Sequence, residues 1–487
     1  MLLRTNFKEE RYGSKYEITD LGYKSDSYNF FTGYKVSDNI DFYLRKSNYL
    51  AEDISFTHGA STSMVIHYDE YERDALSLGA KLKNIYNLEK IDIAVSKQKI
   101  RKMIQTNDLN KDDQIVDTKT IKIDLAKRYD VFYFLAGSEF SKDKAETYTF
   151  SNQDYFATYL NGEYNNEKFI LNAGLRYNHY KVKQEIEPGR DLDTIYDLVG
   201  ISGVLKDDII DDAFTYGLGA TYLVNDNHNI AFNYSKTYRY PTLYERFAFG
   251  SFVGGGADMM AEEGDNLELS WKYLDDSTFV SLSYFYTDFS TYNDTYEHRK
   301  IKDLDFLKQC LKDKECNPYD DDHNEDTIFS TFLKYASFYG VKNSGFELSV
   351  KKEFKEQAIE SGFDISLSAL SNSKVDLPNA LEPLIVEFKQ DPLEFSAYAK
   401  KKFSYKYAPW VKLKVRHVTN KPTVYQEGGF KPFTIGDLYF GAKHKNIVIN
   451  GGVRNLTDKV YNEPYIGLDG IKRTLFINFS ISLEKLL

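Results

Sequence analysis

The sequence predicts an all-β fold: an antiparallel transmembrane β-barrel of about 20–22 strands, with long extracellular loops and short periplasmic turns. Three observations carry this prediction. Apolar and polar residues alternate with a period of two, short turns alternate with long polar segments, and no apolar run approaches the ~18 residues of a membrane helix. A single barrel of that size takes up residues 1–487 as one domain.

Composition agrees. Aromatic residues form 16% of the chain, as 40 Tyr and 34 Phe against 2 Trp, while mean hydropathy is only -0.51. Helical membrane proteins are excluded by these values, but strands that are apolar at every second position fit them. A net charge of -11 with no basic stripe argues against nucleic acid as a partner. Two cysteines exclude a disulfide scaffold or a metal-cluster protein. The start, MLLRTNFKEERYGSKY, has no apolar core and no small-residue cleavage site, so no secretory signal is read there.

The strands follow in order. Leu171, Ala173, Leu175 and Tyr177 alternate with Asn172, Gly174, Arg176 and Asn178. Phe214, Tyr216, Leu218, Ala220 and Tyr222 alternate with Thr215, Gly217, Gly219 and Thr221. Val280, Leu282, Tyr284 and Tyr286 alternate with Ser281, Ser283 and Phe285, and Phe363, Ile365, Leu367 and Ala369 with Asp364, Ser366 and Ser368. Near the end Leu475, Ile477, Phe479, Ile481 and Leu483 repeat the pattern. Period two alone does not separate a soluble sandwich, with its apolar face inside, from a membrane barrel, with that face toward lipid.

Loop lengths separate them. Short turns are read at 37–39, 165–167, 225–227, 275–277 and 445–446, and another around Tyr405 and Tyr407. Long polar segments are read at 48–75, 100–117, 183–212, 239–263, 290–343, 372–391 and 456–472. Sandwiches mix loop lengths at both ends, whereas outer-membrane barrels keep short turns on one side. Trp271 and Trp410 both fall beside short turns, where an interfacial aromatic belt at the periplasmic rim would place them.

Two motif groups add a family likeness. The segment NYSKTYRYPTLYERF, followed by AEEGDNLELSWKYLDDSTFVSLSYFYTDFS, resembles TonB-dependent outer-membrane receptors. Tyr238-Arg239-Tyr240-Pro241 stands for the family's Phe-Arg-Ala-Pro, and Glu262 with Asn266, Leu267, Glu268 and Leu269 for its Glu-Leu strand. The C-terminal GGVRNLTDKVYNEPYIGLDGIKRTLFINFSIS resembles the closing motif through Asn455, Leu456, Asp458, Tyr461, Gly470 and Arg473. The likeness is strongest from about residue 155 onward. Departures are Gly256-Ala257 in place of Asn-Pro, no His within 242–261, and Leu487 in place of a terminal aromatic residue. The family's plug, energy-coupling box and signal peptide have no counterpart in this sequence, which reads as beginning inside the barrel.

The resemblance implies a receptor that takes up an iron chelate, a ferric siderophore or haem. It implies contact with outer-membrane lipid, action as a monomer, and coupling to the TonB complex if a plug is supplied. A plugless passive pore, an adhesin or a truncated receptor fragment is the alternative, and a soluble β-sheet binding protein a third reading. Arg239, Tyr244, Glu245 and Arg246 are candidate ligand contacts; the competing reading is ion pairs that hold the loop on the rim. His58 is a candidate haem ligand against an ordinary surface histidine. Gly254–Gly256 read as a flexible loop rather than a phosphate loop, since no strand–glycine–helix context and no Lys-Ser/Thr follows.

Cys310 and Cys316 read as a disulfide in an external loop, with a zinc site beside His298 and His323 as the weaker alternative. The run 319–326 is rich in oxygen ligands but lacks an EF-hand's glycine spacing, so it reads as a solvated acidic loop. No metal site and no cofactor is predicted. No nucleophile elbow, HExxH helix or framed carboxylate pair asks for an enzyme.

Overall fold

The computed structural model describes residues 2–12, 17–57, 65–106, 110–146, 150–185, 208–247, 253–254, 259–301, 329–371, 393–419, 431–461, 470 and 472–481. Nearly all of them are extended. The first strands are β1 (Leu2–Tyr12), β2 (Glu17–Ser37), β3 (Ile40–Thr57), β4 (Val65–Ile85), β5 (Leu88–Thr106), β6 (Asn110–Tyr129) and β7 (Phe132–Glu146). There follow β8 (Phe150–Asn165), β9 (Phe169–Glu185), β10 (Ile209–Leu223), β11 (His228–Arg239), a short helix α1 (Leu243–Phe247), β12 (Val253–Gly254), β13 (Glu262–Leu274) and β14 (Thr278–Ile301). The last are β15 (Phe329–Phe338), β16 (Val341–Phe354), β17 (Ile359–Ser371), β18 (Glu394–Lys402), β19 (Trp410–Val418), β20 (Phe433–His444), β21 (Ile447–Arg454) and β22 (Thr474–Ile481).

All strands except β12 and β15 form one antiparallel meander, each paired with the next. Among the described residues that leaves 20 wall strands, within the range the sequence predicts. A pairing between β1 and β22 is not among those of the described residues. β15 instead extends the outer half of β14, and β12 adds to β15 in parallel through Val253 and Gly254. Gly254 therefore lies in a paired strand and not in a free loop; Gly255 and Gly256 lie outside the described residues.

The faces are sorted as alternation requires. Phe214, Leu218, Leu175, Phe346, Leu475 and Phe479 are each more than half exposed, as lipid-facing side chains are when no lipid is counted. Thr215, Gly217, Asn172, Gly174 and Arg176 face a common interior recess. The short turns fall where the sequence places them, and Asp275 shows how they are built. Its carboxylate accepts from the backbone N–H of Ser277 at 2.7 Å, that of Thr278 at 2.6 Å and the Tyr273 hydroxyl at 2.6 Å.

Three of the long segments are corrected. The described residues of 48–75 and 100–117 are the outer ends of β3, β4, β5 and β6; 58–64 and 107–109 lie outside the described residues. Residues 290–301 and 329–338 are likewise strand. Above the membrane both faces of a strand meet water, so hydropathic alternation stops while backbone pairing continues. Polar cross-strand pairs accompany it: Lys46 with Asp74, Asn48 with Glu72 at 3.2 Å, and Arg101 with Asp113 at 2.8 Å. Trp410 is a second correction. Trp271 points outward, but Trp410 sits on the interior face beneath the Lys400 ammonium, 4.6 Å from its ring. Val411 takes the outward position, so Trp410 is one residue out of phase with a lipid belt.

Candidate functional site

The upper interior wall is built around the first motif. Pro241 precedes Thr242, whose hydroxyl accepts from the Glu245 N–H at 3.2 Å, while Glu245 Oε2 accepts from the Thr242 N–H at 2.7 Å. This reciprocal capping box explains why so short a helix forms here. Glu245 also accepts from Arg239 Nη1 at 2.9 Å, and Arg239 Nη2 reaches Glu262 at 3.1 Å. Arg239 and Glu245 are thus joined as an ion pair, with Glu262 from the second motif as third member.

Arg246 is 1% exposed and lies over the Tyr240 ring at 4.6 Å. Burial pushes its guanidinium below the usual value, against the opposing charge of Asp211. Tyr240 stacks flat on Tyr180 at 4.4 Å and 7°, and Tyr180 lies 4.5 Å from Tyr155. Val182, Tyr240 and Ala261 form the apolar floor on which Leu243 rests. The loop after β11 is therefore folded down onto the inside of β9 and β10.

Below it lies a recess of about 950 Å³. Arg176 projects into it, bonded to the Tyr155 hydroxyl and 3.6 Å from Glu139, with its guanidinium 5.1 Å from the Tyr159 ring. Lys122, Asp124, Asn161 and Asn233 line the same space. Tyr159 donates to Asp124 across Gly137, which stands directly opposite both in register. A Cβ on Gly137 would come 2.5 Å from the Tyr159 ring, so the glycine makes room for the tyrosine. Tyr43 over Gly79 and Tyr398 over Gly362 repeat the arrangement, each with a lysine against the ring: Lys81 at 5.4 Å and Lys412 at 3.9 Å. Sequence reading placed Arg176 on the polar face of its strand but did not find these tyrosine–glycine pairs, whose members are distant in the chain.

The closing motif is a second clasp. Asn455, 1% exposed, donates from Nδ2 to the Lys459 carbonyl at 2.8 Å and accepts the Lys459 N–H at 3.0 Å. Its own N–H donates to Asp437 at 2.9 Å. Asp458 accepts the Arg473 N–H at 2.9 Å, and Tyr461 packs on Phe433 at 4.4 Å over Gly470. His58, Cys310, Cys316, His323 and the acidic run lie outside the described residues, as does the side chain of Tyr244.

The sequence matches the family model described as TonB dependent receptor-like, beta-barrel, over residues 4–456. The chain belongs to the TonB-dependent receptor family. A search of curated protein sequences gave no match. Among solved structures the receptor is similar to the copper transporter OprC, with 12% identity, a TM-score of 0.73, and coverage of 98% of this chain and 74% of that one. It is similar to the FrpB iron transporter of Neisseria meningitidis, with 13% identity, a TM-score of 0.74, and coverage of 99% and 76%. The ferric-catecholate import receptor Fiu of K12 E. coli matches with 13% identity, a TM-score of 0.64, and coverage of 99% and 77%. The receptor is accordingly an outer-membrane protein with its apolar stripe toward lipid.

Proposed function

We propose that this receptor takes up an iron chelate, a ferric siderophore or haem, across the outer membrane. The observation that carries the reading is Arg176, a partly buried guanidinium set between the Tyr155 and Tyr159 rings at the wall of a roomy interior recess. A cation flanked by aromatic rings suits a planar, anionic chelate. The likeness to FrpB and Fiu supports iron as the cargo. Arg239, Glu245 and Arg246 act in this reading by holding the loop that forms the roof of the recess. Energy comes from the TonB complex acting on a plug, and the receptor works as a monomer.

The test is equilibrium binding of radio-iron-labelled ferric catecholate, ferric hydroxamate and haemin to the purified receptor in detergent. Binding of one of them, weakened about tenfold or more by Arg176→Ala, is expected for loss of a charged hydrogen-bonding group. No binding to any of the three, together with steady single-channel conductance in planar bilayers, overturns uptake in favour of a passive pore.

A further inference from the structure

On the inner wall, two lysines stand side by side near the short turn at 403–409. Lys400 on β18 pairs directly with Lys412 on β19. Like charges directly opposite each other on a sheet repel. Two aromatic rings hold them there. The Lys400 ammonium lies 4.6 Å from the Trp410 ring, and the Lys412 ammonium 3.9 Å from the Tyr398 ring. Each lysine thus crosses to a ring on the other's strand. The rings themselves lie against glycines: a Cβ on Gly441 would come 2.6 Å from Trp410, and one on Gly362 2.6 Å from Tyr398. The glycines let the rings press close to the wall, and the ammonium groups lie over them.

No acid neutralises the pair. Among the described residues neither ammonium has a carboxylate within 4.0 Å, and the same holds for Lys414 on the same face of β19. Glu360 stands directly opposite Lys400 on β17, but it accepts from the Tyr398 hydroxyl at 2.9 Å and lies 3.9 Å from Lys402. Asp437, opposite Lys414, accepts from the Tyr439 hydroxyl and the Asn455 N–H, each at 2.9 Å. The neighbouring acids are thus engaged elsewhere, and the patch keeps its positive charge. Cations over aromatic rings are also what Arg176 presents with Tyr155 and Tyr159. The level differs. Lys412 is two residues from the start of β19, whereas Arg176 is seven from the start of β9. Both strands rise from short turns, so the lysines lie roughly 13 Å nearer the periplasmic rim for strands tilted by about 40°.

We propose that Lys400 and Lys412 form a second, lower binding site for the anionic groups of the cargo, an inference that rests on the uptake of an anionic chelate. Arg176 holds the chelate at the recess. The paired ammonium groups hold it nearer the periplasm, on a wall strand seventh in order after β9. Side chains directly opposite on adjacent strands start about 5 Å apart, so one pair of anionic oxygens spans both lysines. An anion seated between them relieves their repulsion, and each charge-assisted hydrogen bond is of the strong kind.

The test is equilibrium binding of radio-iron-labelled iron(III) tris-catecholate and of haemin to the full chain in detergent, read as stoichiometry and affinity. Two equivalents of one probe are expected, one lost in Arg176→Ala and the other in the double variant Lys400→Gln/Lys412→Gln. Each lysine supplies one hydrogen bond from a charged group, so the double variant should weaken its equivalent about 100-fold. Its heat-modifiable migration should match that of the parent. Lys355→Gln/Lys406→Gln removes the same charge from two short turns and should keep both equivalents. Equal loss in the two double variants means that net charge alone attracts the probe, and overturns the site. A single equivalent, lost in Arg176→Ala and kept in Lys400→Gln/Lys412→Gln, overturns the lower site and leaves the uptake reading standing. A single equivalent lost only in the lysine variant supports the lower site and removes Arg176 as the seat of the cargo. No binding of either probe overturns both. Displacement of the lower equivalent by millimolar inorganic phosphate would make this a site for small anions at large, and overturns the chelate.

Discussion

Glu245 carries two tasks at once, closing the capping box with Thr242 and pairing with Arg239. The two are separable. Thr242→Ala removes the cap hydroxyl while leaving the ion pair, at a cost of about 1 kcal/mol to the helix. Hydrogen exchange at the Glu245 amide is the measurement, and about fivefold acceleration is the expected outcome. Asp275 offers a second residue-scale test. Hydrogen bonds from the Tyr273 hydroxyl and from the Ser277 and Thr278 amides hold its carboxyl well below the usual carboxylate range. Because the folded value is depressed, the turn gains stability that is present above the ordinary carboxylate pKa and is lost as pH falls through the depressed value. A carboxyl chemical-shift titration should place the Asp275 midpoint below the ordinary carboxylate range; a midpoint within that range would sink the account. Arg239 and Glu245 were legible in the sequence as candidate ligand contacts or loop ion pairs, and Glu262 as part of the second motif. That Arg239 and Glu245 pair with each other is decided by a helix of one turn between them.

At the scale of strands, the interior is organised by tyrosines laid across glycines of the neighbouring strand. Gly137 must be small because Tyr159 crosses it to reach Asp124. Gly137→Leu should displace the ring and cost about 1–3 kcal/mol through overpacking. Tyr159→Phe keeps the ring in place and removes only the hydroxyl, so it should cost less. Urea midpoints of the receptor folded into lipid vesicles would rank the two. The reverse order would mean that the hydrogen bond, not the fit of ring to glycine, fixes the strands. The outer ends of β3–β6 teach a related lesson. Their residues do not alternate, because neither face meets hydrocarbon, yet the ladders run on from Ile66 opposite Thr106 to Ile85 opposite Leu88 without leaving the sheet.

For the molecule as a whole, the apolar face points out and the polar face in. Leu218→Arg on the outer wall should cost about 2–4 kcal/mol in lipid, the penalty for a cation near the bilayer midplane. Thr215→Arg, only three residues away but facing the recess, should fold nearly as well as the parent. The fraction of heat-modifiable protein after refolding into vesicles distinguishes the two. Equal loss from both substitutions would contradict the assignment of faces.

The sequence by itself determined the barrel, its direction and its short turns. A period of two fixes which face each residue takes, and Asn-Asp and Asp-Ser turns fix where strands reverse. It also marked the two motif groups and hence the family. Only the tertiary structure decided how far the strands project, since pairing outlasts the hydropathic signal once both faces are wet. Likewise, only register shows that Tyr159 lies on Gly137, that Trp410 turns inward, and that Lys400 and Lys412 stand side by side. Those pairs are separated by 12 or more positions in the chain and meet because hydrogen-bonded ladders align them.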